Sequence, residues 1–314
     1  MGYQVRQARY ALLALAVPAL ALLGAPRVVC AGQEAPDDQA VGGGVFASTD
    51  ADDSTVLKQR LHFDVHHASL DDYLGIELER ARFEPLGQQV FEQDRAYVRF
   101  AGKGDRWAWR GRLGTDGHTW LGNAAVHAGE ARRQEYFIER EVLETPMGLA
   151  QGLYHTFAGA AYDFAIDDRN VLTGFAGVQD FTGENRRLHL RGRYIRVLEE
   201  AWGLSLQARV RTYRSSDPGE FDYYSPRWYA EALPVLQLRR FRGGWQYRIA
   251  AGIGLQRDAN TDWRRSRLVE AAVTSPREGR DWYLDAGIEH TDTPVGLGEQ
   301  YGYTQLRFSF TAVF

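Results

Sequence analysis

Apolar and polar residues alternate with a period of two through most of this chain. In the last stretch, residues 303–314, the even positions from Leu306 onward are apolar and the odd positions are mostly polar. A period of two over this length predicts a β-strand with one apolar and one polar face. The final residue, Phe314, lies on the apolar face, which is typical of the closing strand of a bacterial outer-membrane barrel.

Similar alternating segments recur along the chain. Fifteen of them can be counted backwards from residue 314 to Lys58, and long polar loops alternate with short turns between them. Single-chain bacterial barrels have an even number of strands and both termini on the periplasmic side, so we predict one more strand at Val41–Thr49. The expected fold class is all-β, a transmembrane antiparallel β-barrel of 16 strands, with 14 strands as the alternative. Sixteen strands normally enclose an aqueous lumen.

The N-terminal residues predict export from the cytoplasm. Arg6 and Arg9 precede an apolar run from Ala11 to Leu23, and small residues near Ala31 suggest a cleavage site. We therefore expect a signal peptide at 1–31, an acidic flexible lead that includes the first strand at 32–57, and the barrel at 58–314. No later run of 18 apolar residues predicts a spanning helix, which leaves a closed barrel as the membrane-spanning structure. The expected location is the outer membrane of a Gram-negative bacterium.

Composition agrees with this assignment. The chain has 37 Lys and Arg against 41 Asp and Glu, a net charge of −4, which does not indicate a nucleic-acid partner. The 16 Tyr and 8 Trp can form the aromatic girdles at the two membrane interfaces.

Arginine is frequent on the polar face of the predicted strands. An arginine on the lipid face near the midplane costs about 2–4 kcal/mol, so these arginines should face the lumen. One interpretation is that they pair with acids and brace the wall. The other is that they guide a hydrated chain by paired hydrogen bonds and ring stacking. The residues that we predict to line this lumenal guide are Arg187, Arg191, Arg193, Arg209, Arg211, Arg239, Arg248, Arg307, Glu231, Tyr229 and Tyr303.

Two segments carry a family resemblance. In Val178–Leu198, VQDFTGENRRLHLRGRYIRVL, a strand ends in Asp-Phe, a short tip follows, and the return strand opens with Arg-Arg. In Phe221–Pro234, FDYYSPRWYAEALP, a Tyr-aromatic-Ser-Pro loop leads into a strand. Both resemble hairpins of the outer-membrane barrels that export exopolysaccharides, including the barrel domains of the cellulose and poly-N-acetylglucosamine secretion porins. A shorter third match is Glu141–Leu149, and the similarity covers about 132–314.

The resemblance implies a channel that exports a secreted polysaccharide, as in biofilm formation, with no catalytic role, cofactor or metal. The implied pore-mouth residues are Tyr223, Tyr224, Ser225 and Pro226. Implied partners are the polysaccharide chain, outer-membrane lipids and lipopolysaccharide, and the barrel-insertion machinery, which would read Phe314 as an assembly signal. Well-known members of that group carry long tetratricopeptide arrays before the barrel. No helical repeat of that kind is found here, so we expect a separate periplasmic scaffold or co-polymerase, and a monomeric barrel.

Two other functions share features of this sequence. A general or nutrient porin, or a structural barrel, would have the same architecture. A barrel hydrolase would need a nucleophile with a base, and no G-x-S-x-G motif is present. Strict alternation would place His62, His66 and Asp64 together on the lumenal face and His67 toward lipid. We expect these histidines to fill the lumen and the protein not to be an enzyme.

Overall fold

The computed structural model describes residues 38–51, 53–129, 132–277, 281–292 and 302–314. The predicted signal peptide and residues 32–37 of the acidic lead lie outside the described residues. The described elements are β1 (Ala40–Asp50), β2 (Thr55–Ser69), β3 (Asp72–Glu84), β4 (Phe91–Lys103), β5 (Trp107–Thr115), β6 (Trp120–Ala128), β7 (Gln134–Val142), α1 (Pro146–Gln151), β8 (Tyr154–Asp167), β9 (Asn170–Phe181), β10 (Arg186–Glu199), β11 (Leu204–Ser215), β12 (Trp228–Arg242), β13 (Trp245–Asp258), β14 (Arg264–Thr274), β15 (Trp282–Thr291) and β16 (Tyr303–Val313).

These strands form a closed antiparallel barrel. Each strand pairs with its neighbours in the chain, and β1 pairs with β16 from Ala40 opposite Val313 to Asp50 opposite Tyr303. The predicted count of 16 strands is confirmed, and β1 lies where the parity argument required a further strand. Closure leaves no strand edge unpaired in the sheet.

The two ends of the barrel differ in their connections. At one end, here called the short-turn end, Gln39 and Phe314 exchange backbone hydrogen bonds of 3.0 and 2.8 Å. Connections at this end include the two-residue turns 168–169 and 243–244. The opposite end, here called the long-loop end, carries α1 and the loop 216–227. The longest described connections therefore share one end, as the sequence predicted, although the turn 182–185 there is shorter than the connection 275–281 at the short-turn end. No helix in the described part of the chain is long and apolar enough to cross a membrane.

Burial is inverted relative to a water-soluble protein. On the outer face, Leu190 and Ile253 are 59% and 65% exposed. On the lumenal face, charged residues such as Glu79 and Arg95 are almost completely buried. Large apolar side chains outside and ion-paired side chains inside are what a hydrocarbon solvent requires of a barrel.

One local expectation is wrong. In β2, Asp64 pairs with Gly75 and His66 with Leu74, so Val65 is an extra residue that forms a β-bulge. A bulge shifts the alternation by one position. His67 therefore turns inward, where its Nδ1 lies 2.8 Å from Asp64 Oδ2, instead of facing lipid.

His66 does not join His62 and Asp64 on the lumenal face as expected. It lies 3.4 Å from Asp72 at the short-turn end. Gly75 lies opposite Asp64 beside this bulge, where an added Cβ would clash with the Phe63 carbonyl oxygen and with Asp64 Oδ1.

Candidate substrate path through the lumen

One side of the lumen is a compact network of ion pairs. We call it the braced wall and define it by Lys58 on β2, Glu79 on β3, Arg95 on β4, Arg112 on β5 and Glu141 on β7. Glu79 contacts Arg95 at 2.9 Å and Arg112 at 3.1 Å. Glu141 contacts Arg95 at 2.9 Å and Lys58 at 3.5 Å. Each buried cation in this set has a carboxylate, so the braced wall matches the structural interpretation of the lumenal charges.

Apolar side chains fill the lumen beside the braced wall, toward the long-loop end. They form one buried cluster, which consists of Ala81, Phe83, Tyr97, Leu121, Val142, Leu149 and Tyr154. The cluster fills the long-loop end on this side, whereas a cavity of about 620 Å³ lies nearer the short-turn end beside Arg60, Glu77 and Arg112.

The opposite side is rich in arginine. We call it the arginine wall and define it as the lumenal faces of β9–β13. Three rungs of this wall place like charges directly opposite each other on neighbouring strands: Arg191 with Arg211, Arg193 with Arg209, and Arg239 with Arg248. Like charges at directly opposite positions destabilise a sheet.

Only some of these arginines are neutralised. Arg211 lies 2.6 Å from Glu231, and Arg209 lies 3.1 Å from Glu270. Ser266 also donates a hydrogen bond to Glu231, at 2.5 Å. None of the ion pairs formed by the described residues includes Arg191, Arg193, Arg239 or Arg248. Arg191, Arg193 and Arg239 are exposed to the lumen, and Arg248 is half-buried.

Aromatic rings support the guanidinium groups of this wall. The Arg187 guanidinium carbon lies 4.5 Å from the centre of the Tyr213 ring and 5.0 Å from that of Phe181. The Arg191 guanidinium lies 5.0 Å from the Phe175 ring and 5.7 Å from Phe157. Such cation–π contacts orient a guanidinium without neutralising its charge.

The sequence reasoning missed Phe137, Phe157 and Phe175. Their rings pack together inside the barrel, 5.1 to 6.0 Å apart. A lipid-facing position was the simplest expectation for phenylalanine in a membrane strand. Only the strand register indicates that Phe175 faces the lumen, because it pairs directly with Arg191 across β9 and β10.

The other predicted guide residues have different surroundings. Tyr303 lines the same lumenal cavity, of about 530 Å³, as Arg191 and Arg193. Arg307 lies 3.4 Å from Asp285, on a half-exposed part of β16. Tyr229 is 0% exposed, so it offers no free ring to a chain in the lumen, contrary to expectation. Its ring stacks 5.0 Å from that of Tyr213 and holds it in position.

The three segments that carry the family resemblance meet at the long-loop end. Asp222 accepts hydrogen bonds from the Thr145 hydroxyl at 2.6 Å and from the Met147 N–H at 2.7 Å. Glu220 accepts from the N–H groups of Glu184 and Asn185. The loop 216–227 therefore fastens both the β7–β8 connection and the β9–β10 turn. We call these contacts the loop clamp.

Local sequence explains the short helix in this clamp. Thr145 accepts a hydrogen bond from Gly148 N–H at 3.1 Å and so caps the first turn, and Pro146 occupies the first helical position. Gly152 ends the helix in the left-handed conformation, with φ 67°. The helix presents Leu149 to the buried cluster below it.

The predicted pore-mouth residues all lie in loop 216–227 and point inward. The Tyr223 ring stacks on Phe181 at 4.4 Å, and burial raises the pKa of its phenol to about 12. Burial raises the pKa of Tyr224 most, followed by the neighbouring Tyr213 and by the hydrogen bond that Tyr224 donates to Asp258 at 2.5 Å. Ser225 accepts from Gly219 N–H at 2.8 Å, and Pro226 is buried. These residues fold the loop down onto the wall.

This loop also contacts the arginine wall. The Tyr224 carbonyl accepts a hydrogen bond from the Arg187 guanidinium at 2.6 Å. The arginine wall is therefore continuous with the predicted pore mouth. In the described part of the chain, no group of three or more His, Cys, Asp or Glu side chains is arranged to hold a metal ion.

No protein-family model matches this chain, and no curated protein sequence matches it. Among solved structures, a bacterial polysaccharide outer membrane secretin is similar, with a TM-score of 0.66 at 12% identity over 90% of this chain and 100% of that one. OccAB3 of Acinetobacter baumannii gives a TM-score of 0.43 at 10% identity over 88% of this chain and 99% of that one. The translocator domain of autotransporter NalP from Neisseria meningitidis gives 0.37 at 9% identity, over 88% and 89%.

The fold is therefore that of a bacterial outer-membrane β-barrel. Within that class, its 16 strands are similar in arrangement to the polysaccharide secretin. The resemblance predicted from the hairpin sequences is confirmed at the level of the fold.

Proposed function

We propose that this chain is an outer-membrane channel for the export of a secreted polysaccharide. The observation that carries the proposal is the combination of lumen-exposed arginines and partly exposed aromatic rings along one side of the lumen. A sugar ring has apolar C–H faces, which pack on aromatic rings, and hydroxyl groups, which accept hydrogen bonds from guanidinium groups. Arg191 with Phe157 and Phe175 provides both kinds of contact in one place.

The arrangement suits an extended chain better than a small solute. Arg239 and Arg248 lie near the short-turn end, Arg191 and Arg193 lie midway, and Arg187 lies near the long-loop end. Binding groups therefore follow one another along the barrel. Transport through a pore requires sites that are numerous and individually weak, so that a bound chain can still move on.

The loop clamp defines where such a chain would leave. With Tyr223 and Tyr224 folded inward, the exit lies beside loop 216–227, close to Arg187. The outer apolar band would contact lipids and lipopolysaccharide, and the insertion machinery would read Phe314. A separate periplasmic scaffold or co-polymerase would deliver the polymer to the short-turn end. The similar fold of a solved polysaccharide secretin also supports this proposal.

Deleting the gene tests the proposal. Surface polymer should be lost while polymer synthesis continues and the product accumulates inside the envelope, and the wild-type chain should restore secretion. Normal surface polymer in the deletion strain would contradict an export role. A general porin would instead alter the uptake of small solutes and leave secretion intact.

Site-directed variants sharpen this test. Replacing Phe157 and Phe175 with alanine removes the lumenal rings and should reduce secretion. The matched control replaces Phe164 and Phe310, which are 52% and 39% exposed on the outer face. Equal secretion by the two double variants would argue against a sugar path along these rings.

A further inference from the structure

We propose that the exported polymer is acidic, a polysaccharide that bears carboxylate or sulfate groups, and that the arginine wall binds those groups. This inference rests on the proposed function and adds the charge of the substrate to it. The residues that carry it are Arg191, Arg193 and Arg248.

The arginine wall places like charges opposite each other. In the rungs that join Arg191 to Arg211 and Arg193 to Arg209, positive side chains face each other directly across neighbouring strands. Such rungs cost stability unless acids neutralise both members. The cavity that these rungs line contains four arginines and three acids, Glu231, Glu270 and Glu289, so positive charge is left there for a ligand to neutralise.

The arginines of this wall outnumber the acids that contact them. Glu231 and Glu270 each contact one arginine, Arg211 and Arg209 respectively. The facing members of the two rungs, Arg191 and Arg193, form no ion pair with a described residue. The Nε of Arg248 is buried and has no hydrogen-bond acceptor in the described part of the structure. Each rung thus retains a guanidinium with unused donors.

The braced wall provides an internal comparison. There, Glu79 lies opposite Arg60 on one side and Arg95 on the other. A like-charge rung is present too, Arg99 opposite Arg112, but acids neutralise both of its members. The cations that define the braced wall are therefore all neutralised, whereas the arginine wall keeps excess positive charge. A general requirement for polar residues in a water-filled lumen does not explain this difference.

The geometry of the excess charge suits an oxyanion. A guanidinium offers a planar set of donors that pairs with both oxygens of a carboxylate or sulfate. The cation–π contacts of Arg191 hold its guanidinium in place before a ligand arrives. A neutral polymer would leave the like-charge rungs uncompensated, and a cationic polymer would be repelled.

Binding of labelled oligosaccharides to the purified full-length barrel in detergent tests this inference. The fluorescent probes are hexamers of galacturonate, of sulfated glucose, of neutral glucose and of glucosamine, measured by polarisation. The variant is Arg191→Gln with Arg193→Gln. The control is Arg80→Gln with Arg82→Gln, which removes the same charge from exposed side chains outside the lumen that pair with Asp94 and Glu84.

The carboxylated or sulfated hexamer should bind best, and comparison of the two identifies the acidic group. Loss of two charge-assisted contacts predicts at least about tenfold weaker binding for the lumenal variant and little change for the control. Binding should also weaken with added salt. Heat-dependent mobility on gels verifies that each variant is folded.

Other outcomes would overturn the inference. Equal binding of the neutral hexamer, or a lumenal variant that binds acidic hexamers like the control, would refute acidic specificity and leave polysaccharide export standing. Equally tight binding of a thymidine hexanucleotide would refute a preference for sugars. If none of the four oligosaccharides bound to a barrel that still conducted ions, both proposals would fail.

Discussion

The braced wall should be the most sensitive part of the lumen to loss of a single charge, and Glu79→Gln tests this. The two carboxylate oxygens of Glu79 serve three guanidinium groups: Oε1 contacts Arg95 at 2.9 Å, and Oε2 contacts Arg60 at 2.6 Å and Arg112 at 3.1 Å. The side chains of Glu79 and Arg95 are both 0% exposed. Water therefore cannot readily replace the carboxylate oxygen, and the negative charge, that the substitution removes.

Glutamine has the same shape but only one acceptor oxygen. Whichever way the amide turns, its NH₂ group faces at least one guanidinium that formerly donated to oxygen. Removing one partner of a buried pair costs about 3–5 kcal/mol, because an uncompensated charge remains. We expect the free energy of unfolding to fall by about this amount.

Denaturant titration of the refolded barrel in detergent or lipid vesicles, followed by tryptophan fluorescence, measures the change. The control is Asp94→Asn, the same carboxylate-to-amide change in an exposed pair with Arg80. Exposed pairs contribute little to stability, so the control should leave the midpoint almost unchanged. Similar shifts for the two variants would refute the view that the network braces the wall.

Three further predictions concern the loops and the strands. Asp222→Asn should weaken the loop clamp by about 1–2 kcal/mol and speed proteolysis of loop 216–227. Because the pKa of Tyr223 is about 12 in the folded loop, the clamp should be fully stable below the ordinary tyrosine pKa of about 10 and weaken from there to about pH 12. Tyr223→Phe should reduce this loss in alkaline proteolysis, and an unchanged profile would contradict it. Gly75→Ala should cost about 1–3 kcal/mol by overpacking Asp64, whereas Gly174→Ala, with open space around its Cβ, should fold normally, as gel mobility would show.

Much of the fold could be predicted from local pattern. Alternation gives the face of each residue, and the alternating lengths of loops and turns give strand direction. The even strand number then required β1, which is rich in glycine and has a weak pattern of its own. These inferences succeed because the lipid imposes the same rule on every strand.

The candidate site was less predictable because it depends on register. Sequence placed Arg191 and Arg211 on the lumenal side, but only the pairing of β10 with β11 shows that they oppose each other. In the same way, no local signal predicts that Glu79 serves three strands, or that Tyr229 is fully covered. The bulge at Val65 could not be predicted from the sequence either, because one extra residue reverses the alternation without changing the composition.

The position of the like-charge rungs explains how the fold tolerates them. They lie on β10–β13, strands whose backbone ladders run unbroken through all three rungs and whose outer faces are strongly apolar. Stability there comes from closed hydrogen bonding and from lipid contact, both independent of the lumenal side chains. The charged residues of the braced wall also pair in regular register, since the bulge of β2 follows them at Val65, but there the lumenal charges are neutralised. Regular pairing therefore does not distinguish the two walls, because each has a bulge outside its charged rungs. Neutralisation does distinguish them, which is the difference expected if the unneutralised charge serves a ligand.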